Sequence, residues 1–367
     1  MEKAKAAVYT GVNKPFEIRE FEAGPAPEGY AKIELIASGI CGTDVHIQTG
    51  RLGIEPPKII GHEFIGKVVE ISSSDSKEYQ IEEGDNVIVV IASPCGNCLL
   101  CKNGDDANCV NMGVTNGGDP YEKPHFHGGY GYYNYTPIKN LVKISNDIDP
   151  KMASVFACPG PTAIHAFKLA DQAGFDVKAV NVAVVQGIGP VGIFAIAYLA
   201  SLGIKNIIAI ANSNDRNKVN LAKKMGATDV ITLSDTSKED IIEHINKLSN
   251  SLGADLVFEG SGNPKAIPLG MEILRNRGIY LVPGQYSNSG AIEIQPQVIT
   301  FKALQIIGSS QYSLSDVRDY LNFLQENDQL HDTILSLATS YKVEDINKAF
   351  DDIKARKNIK TVLVKDM

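Results

Sequence analysis

The feature that most constrains this chain is the stretch VNVAVVQGIGPVG, residues 180–192. An apolar run stops at Gly187 and passes at once into GPVGIFAIAYLASLG (189–203), which is apolar at helical spacing. The alternation continues. NIIAIA (206–211), DVITL (229–233), ADLVFEGSG (254–262), GIYLVPG (278–284) and ALQIIGSSQ (303–311) read as strands. DRNKVNLAKKMGA (215–227) reads as a helix ending at glycine, and a longer helix runs to about 251. Apolar strands separated by helices predict an α/β unit with a mainly parallel sheet covered on both faces.

In that setting Gly187, Gly189 and Gly192 form G-x-G-x-x-G at the end of a strand and the start of a helix. The hexapeptide alone is weak evidence, but this context makes it a dinucleotide-binding signature. Gly187 permits the tight turn, Gly189 the close approach of backbone to a pyrophosphate, and Gly192 the packing of helix on strand. Pro190 and Val191 complete the contact set at the helix N-terminus, whose unpaired N–H groups face phosphate. A carboxylate usually follows about 20 residues on and holds the ribose hydroxyls. Here that region is neutral, with Asn212, Ser213 and Asn214, and Arg216 beyond Asp215. Neutral donors and an arginine suit a ribose 2′-phosphate, so NADP is favoured over NAD; Asp215 keeps NAD as the alternative. Glu259 and VPG (282–284) fall at carboxyl ends of parallel strands, where backbone is expected to line the nicotinamide site.

Residues 1 to about 155 have another texture. AKIELIA (31–37), KVVEI (67–71) and NVIVVIA (86–92) are short runs between Gly, Pro, Asp and Asn, which is strand-and-turn punctuation. The expected domains are a β-rich one over 1–156, a nucleotide-binding one over 157–299, and a tail, 300–367, that returns to the first through KTVLVK (360–365). Formal charge is −8 with no Lys/Arg cluster, which argues against a nucleic-acid partner. The uncharged run 179–204 is long enough for a membrane span, but Asn181, Gln186, Gly187, Gly189 and Pro190 break it, so no membrane association is expected. MEKAKAAVYT lacks the segments of a secretory signal. A cytoplasmic location follows as an expectation, and there thiols stay reduced.

Two groups of residues suit a metal. Cys41 lies in GICGTDVH with Thr43, Asp44 and His46; His62 and Glu63 lie in GHEFIG; Cys158 lies in ACPG. Singly, Cys41 would be a small buried hydrophobe and His62 a structural histidine. A cysteine, a histidine and a third cysteine or carboxylate from separate segments suit a catalytic zinc, which keeps one position open. The second group is Cys95, Cys98, Cys101 and Cys109, spaced C-x2-C-x2-C-x7-C. Disulfides, an iron–sulfur cluster, a redox switch and a structural metal are the candidates. The start is ferredoxin-like, but the fourth cysteine comes after seven residues and before Val110, not before proline. In PHFHGGYGYYNYT (124–136), His125 and His127 read as part of a glycine-rich loop near a substrate cleft rather than as a metal pair.

GICGTDVH, GHEFIG, the four-cysteine segment and VVQGIGPVG stand in the order found in the medium-chain zinc alcohol dehydrogenase family, and the chain resembles its alcohol, polyol and sugar dehydrogenases over essentially its whole length. The resemblance implies a GroES-like β-rich catalytic domain plus a doubly wound Rossmann domain. It implies Cys41, His62 and Cys158 as ligands of a catalytic zinc, with Glu63 beside the metal and ligating in some relatives. Thr43 takes the substrate proton, Asp44 orients the histidine and His46 ends a proton relay. The resemblance likewise implies a structural zinc held by the four cysteines. The implied reaction is hydride transfer between an alcohol, polyol or sugar and NAD(P), in a homodimer or homotetramer assembled through the nucleotide domain. Zinc eases hydride loss from an alcohol by favouring deprotonation of its oxygen, and it is redox-inert. The alternatives from other classes are a zinc-less dinucleotide-binding sensor, against which Cys41, Thr43 and His62 all stand, and a zinc-ribbon interaction module, which leaves the dinucleotide turn unexplained. The acidic loop and tyrosine-rich segment point towards a polar substrate.

Overall fold

The computed structural model describes residues 2–212 and 215–366. The chain divides into two units, one made of Met1–Cys158 with Gln311–Met367, the other of Pro159–Ser310.

The first unit is built on a seven-stranded sheet. Its N-terminal part supplies β1 (Tyr30–Ile40), β2 (Glu63–Glu70), β3 (Asn86–Val89), β4 (Tyr133–Pro137) and β5 (Leu141–Lys143). Along β1, Ala31, Ile33, Leu35 and Ala37 point into the core while Lys32 and Glu34 point outward, the period-two pattern of a strand with one solvated face. From Ala37 to Ile40 every residue is buried, so the strand sinks into the interior just before the short helix α1 (Gly42–Gln48). β1 pairs antiparallel with β2, placing Gly39 opposite Glu63. On its other side lies the strand Lys360–Val364, antiparallel to β1 and parallel to Ala338–Lys342. The tail therefore returns to this sheet, its last strand lying inside it and Ala338–Lys342 forming the edge. Phe16, Phe350 and Tyr130 close the core with ring centroids 4.8 and 6.0 Å from Phe16. Each fully buried side chain of this size contributes about 1.5–3 kcal/mol by leaving water.

The second unit is a six-stranded parallel sheet made of β6 (Val182–Gln186), β7 (Asn206–Ala211), β8 (Asp229–Thr232), β9 (Ala254–Glu259), β10 (Leu274–Val282) and β11 (Gln305–Gly308). Their order is β8-β7-β6-β9-β10-β11. The order reverses between β6 and β9, which is where doubly wound sheets open a ligand crevice at their carboxyl ends. β6 is buried at every residue, as expected of a central strand. The uncharged run 179–204 resolves into β6, a glycine turn and α2 (Pro190–Ser201). No helix among the described residues is long and apolar enough to cross a membrane. The helix expected to reach about 251 spans Lys238–Leu248. The unit also runs past 299, because β11 completes the sheet by pairing parallel with β10.

Candidate active site

The local fold around Cys41 is set by one carboxylate. Cys41 is the N-cap of α1, and its backbone N–H donates to Asp44 Oδ2 at 2.9 Å. This satisfies a donor that a helix start would otherwise orphan. The other oxygen of Asp44, Oδ1, is 3.3 Å from His62 Nδ1. Asp44 is fully buried, so a single side chain fixes both the turn that carries Cys41 and the orientation of His62. With Nδ1 held by Asp44, Nε2 is the ring atom left for a metal. Thr43, next along, has its hydroxyl 3.8 Å from Cys41 Sγ.

The Gly39–Glu63 register brings the end of β1 against the start of β2, so Cys41, His62 and Glu63 converge, and Cys158 joins them. One ligand atom from each of the four lies within 4.8 Å of every other. The chemistry of this donor set fits zinc: two thiols, an imidazole and a carboxylate at short mutual distance in a half-buried setting. Without a metal these groups press on one another. A hydrogen bond from Cys158, helped by His62, holds the Cys41 thiol well below the usual range, while the same bond and burial push Cys158 well above it. Burial opposes charge on His62, but Asp44 and Cys41 outweigh it and raise its pKa. Such strong mutual perturbation in a buried cluster is typical of functional sites.

Residues that sequence reasoning did not assign complete the surroundings. Lys360, from the C-terminal strand, is 2% exposed and forms an ion pair with Glu63 Oε2. Glu63 Oε1 is buried with no hydrogen-bond partner among the described residues, so one carboxylate oxygen is tethered and the other is available beside the ligand cluster. Burial, with Cys41 nearby, pushes Glu63 up to about 7 against the pull of Lys360. A Cβ at position 39 would overlap the Glu63 carboxylate, which explains a glycine near the end of β1. Tyr312, 3% exposed, has its hydroxyl held well above the usual range by burial and by Cys158 and Glu63. The available signal for Lys360 was a lysine opening the apolar strand KTVLVK; a lysine in a fully buried strand requires an anion. His46, on α1, has a buried Nδ1 with no hydrogen-bond partner among the described residues, and burial and Arg51 lower its pKa.

The four cysteines of the separate lobe also converge, with sulfur atoms within 4.8 Å of one another. The turn at Gly96 (φ +71°) lets the chain fold back between Cys95 and Cys98. Backbone N–H groups of Cys95, Asn97 and Cys101 donate to Cys109, Cys95 and Cys98 sulfurs at 3.3–3.5 Å. The N–H of Cys101 draws Cys98 down to about 6, whereas burial pushes Cys101 up to about 12. Cys98 Sγ lies 3.4 Å from Cys101 and 3.9 Å from Cys109, spacing suited to a shared ion rather than to an S–S bond of about 2.05 Å. His125 and His127 join neither group: His125 stacks on Phe21 and pairs with the Pro120 carbonyl.

In the second unit the glycine turn has the geometry its residues permit. Gly187 has φ +96°, a left-handed conformation that favours glycine. A Cβ on Gly192 would overlap the Gly187 carbonyl oxygen, and nothing lies within 4 Å of where a Gly189 Cβ would be. Gly189 caps α2, with Pro190 and Val191 following half-buried in its first turn. That open space at a helix N-terminus fits a pyrophosphate. At the end of β7, Asn212 is exposed; Ser213 and Asn214 lie outside the described residues. Asp215 caps the helix α3 (Arg216–Lys224), accepting from the N–H groups of Asn217 and Lys218, and Arg216 is exposed.

Comparison with known proteins agrees along the chain. The alcohol dehydrogenase GroES-like domain family matches residues 27–146, and the zinc-binding dehydrogenase family matches residues 190–326. The chain is 30% identical to 5-exo-hydroxycamphor dehydrogenase of Pseudomonas putida over 99% of both chains. It is likewise 30% identical to L-threonine 3-dehydrogenase of Pyrococcus furiosus, again over 99% of both. Among solved structures, an alcohol dehydrogenase from Thermotoga maritima superposes with a TM-score of 0.89 at 28% identity, covering 99% of this chain and 100% of that one.

Proposed function

The chain belongs to the medium-chain dehydrogenase/reductase superfamily, among its zinc-type alcohol dehydrogenases, and on that premise we propose that it oxidises a secondary alcohol to a ketone, reversibly, with NADP as hydride acceptor. That it is an NAD(P)-dependent, zinc-dependent oxidoreductase of CH–OH donors follows from the family; the substrate class, the cofactor preference and the residue roles are the proposal. The observation that carries it is the cluster of Cys41, His62, Glu63 and Cys158 within 4.8 Å.

Cys41, His62 and Cys158 would hold a catalytic zinc with Glu63 as a tethered further ligand, and Cys95, Cys98, Cys101 and Cys109 a structural zinc. Bound zinc supplies Lewis acidity to the alcohol or carbonyl oxygen, and the nicotinamide supplies the two-electron acceptor. Thr43 takes the proton of the substrate hydroxyl, and His46, three residues on along the same helix, receives it as a neutral base. Asp44 keeps His62 in the tautomer that leaves Nε2 unprotonated. Gly187, Gly189, Pro190, Val191 and Gly192 bind the pyrophosphate, and Asn212, Ser213, Asn214 and Arg216 the ribose 2′-phosphate. Engagement of Asp215 as a helix cap supports NADP, since the nearest carboxylate is spent on backbone donors. The two relatives are named for alcohols borne on secondary carbons, which supports that substrate class; polyols and sugars join it where a secondary hydroxyl is the one oxidised. Assembly as a homodimer or homotetramer belongs to the same reading.

The test is metal analysis of the purified protein, followed by NADP- and NAD-linked oxidation of primary alcohols, secondary alcohols, polyols and sugars before and after chelation. Two zinc ions per chain and chelator-sensitive, NADP-preferring turnover of secondary alcohols are expected. Absence of turnover with every alcohol while zinc is bound overturns the reading.

A further inference from the structure

We propose, resting on the reading of the second unit as a nicotinamide-dinucleotide site, that Glu259 is a positioning residue that sets the spacing of the loops receiving the nicotinamide half of the cofactor. Glu259 is the last residue of β9 and is fully buried. Among the described residues no lysine, arginine or histidine pairs with it. Instead, donors from two loops converge on its carboxylate. Oε1 accepts from the backbone N–H groups of Ser261 and Gly262 at 2.8 and 3.0 Å and from the Ser261 hydroxyl. Oε2 accepts from Gln285 Nε2 at 3.0 Å. Its backbone oxygen takes the N–H of Gly284 at 2.9 Å.

The loops so joined are packed too closely for side chains. A Cβ on Gly284 would stand 2.5 Å from Oε2, and one on Gly262 would stand 2.9 Å from the Gly284 oxygen. Ser261 in turn lies against the glycine turn, its Cα 2.7 Å from where a Gly187 Cβ would be. One carboxylate thus ties the loop after β9 to the loop after β10, with the first resting on the phosphate-binding turn. Burying an anion without a cation is costly, and a turn alone is held as well by a serine or asparagine side chain. The extra reach of this side chain is used to bridge to Gln285. The strand order reverses between β6 and β9. The residues that would read the adenine-side ribose follow β7, which leaves the β9–β10 side for the nicotinamide half.

The variants are Glu259→Gln and the exchange Glu259→Gln with Gln285→Glu. In the single variant the new amide keeps an oxygen for Ser261 and Gly262 and turns an NH2 group on Gln285, which can hold it only by flipping its own amide, so the carboxylate's charged hydrogen bond to the second loop is replaced by a neutral one. The exchange restores a carboxylate–amide pair at that point. Binding of NADPH, NADH and the fragment 2′-phospho-ADP-ribose, which lacks nicotinamide, is measured by calorimetry, with thermal unfolding alongside. Glu259→Gln is expected to weaken NADPH about five- to tenfold, the effect of exchanging one charged hydrogen bond for a neutral one, to leave the fragment unchanged, and to recover in the exchange. Should the single variant not fold, Gln285→Ala removes the same bridge from its half-buried end, and the same split between NADPH and fragment is expected. Equal NADPH binding in parent and variant, or equal weakening of NADPH and fragment, overturns the proposal. A parent that binds neither NADPH nor NADH overturns the functional reading, and this proposal with it.

Discussion

Asp44→Asn isolates what a buried carboxylate does beside a metal ligand. The substitution keeps the volume and the shape of a side chain that is fully buried. It removes the capacity to accept at two places. The amide oxygen is best used on the Cys41 N–H, now 2.9 Å from Oδ2, because an unpaired buried donor costs about 1–3 kcal/mol. That leaves an NH2 group facing His62 Nδ1, which Oδ1 now approaches at 3.3 Å. The imidazole must then accept at Nδ1 and carry its proton on Nε2, the atom a metal needs. A hydrogen bond to a charged group is worth about 1.5–3 kcal/mol, so zinc affinity at this site should fall about 10–100-fold, the range seen for partners behind metal-bound histidines. The assay is equilibrium dialysis against graded chelator, with zinc per chain counted by plasma mass spectrometry. The four-cysteine site serves as internal reference, since Asp44 has no part in it. One ion should leave at roughly 10–100-fold lower chelator strength while the other leaves as in the parent, and thermal unfolding of the zinc-free protein should change little. Release of both ions at parental chelator concentrations would refute the reasoning about the histidine.

Three further expectations follow from the same geometry. Lys360→Met removes the cation that favours charged Glu63, and since burial already pushes this carboxyl up to about 7 it takes up a proton in the variant; stability should fall by about 1–3 kcal/mol in urea unfolding, adding Glu63→Gln should recover most of it, and a single variant as stable as the parent would remove the ion pair from the account. Burial and Arg51 lower His46 below its ordinary 6.5, so its neutral form survives to lower pH in the folded protein; kcat/KM for alcohol oxidation should hold as pH falls to 6.5 and decline below it, on a limb that His46→Gln abolishes, whereas a limb unchanged in that variant assigns it elsewhere. Arg216→Ala should raise the Kd for NADPH about 10–100-fold through loss of a charged hydrogen bond and leave NADH unaffected; equal affinity of the parent for both cofactors would contradict the NADP preference.

What the sequence disclosed, and what it hid, divides by distance along the chain. The strand–turn–helix at Gly187 and the four-cysteine lobe are local, so spacing and neighbours carry them. Cys41 and His62 stand far apart yet each sits in a recognisable segment, and the Gly39–Glu63 register that joins them is a product of the sheet. The partner of Glu63 comes from the far end of the chain, and no local pattern marks Lys360 as its partner. Glu259 was visible as a carboxylate at a strand end, but its bridge to Gln285 depends on how two loops settle over adjacent strands. The strand β11 was itself legible in ALQIIGSSQ, yet the boundary drawn at 299 fell short of it; what carries the second unit past that point is its parallel pairing with β10, a contact between strands that local spacing does not show.

The strand Lys360–Val364 has a consequence for the timing of synthesis. It lies inside the sheet between Ala338–Lys342 and β1, and it delivers the only cation paired with Glu63 among the described residues. During translation, Cys41, His62 and Cys158 emerge long before it, while the whole of the second unit is made in between as one continuous segment that can fold on the ribosome. On the reading of the inner cluster as a zinc site, its ligands are all made before the strand that neutralises Glu63, so its surroundings stay incomplete until the last-made strand slots in. Completion of the inner cluster is then a late, whole-chain event governed by long-range closure, whereas the four-cysteine lobe, contained in fifteen consecutive positions from Cys95 to Cys109, would hold a complete ligand set as soon as it leaves the exit tunnel.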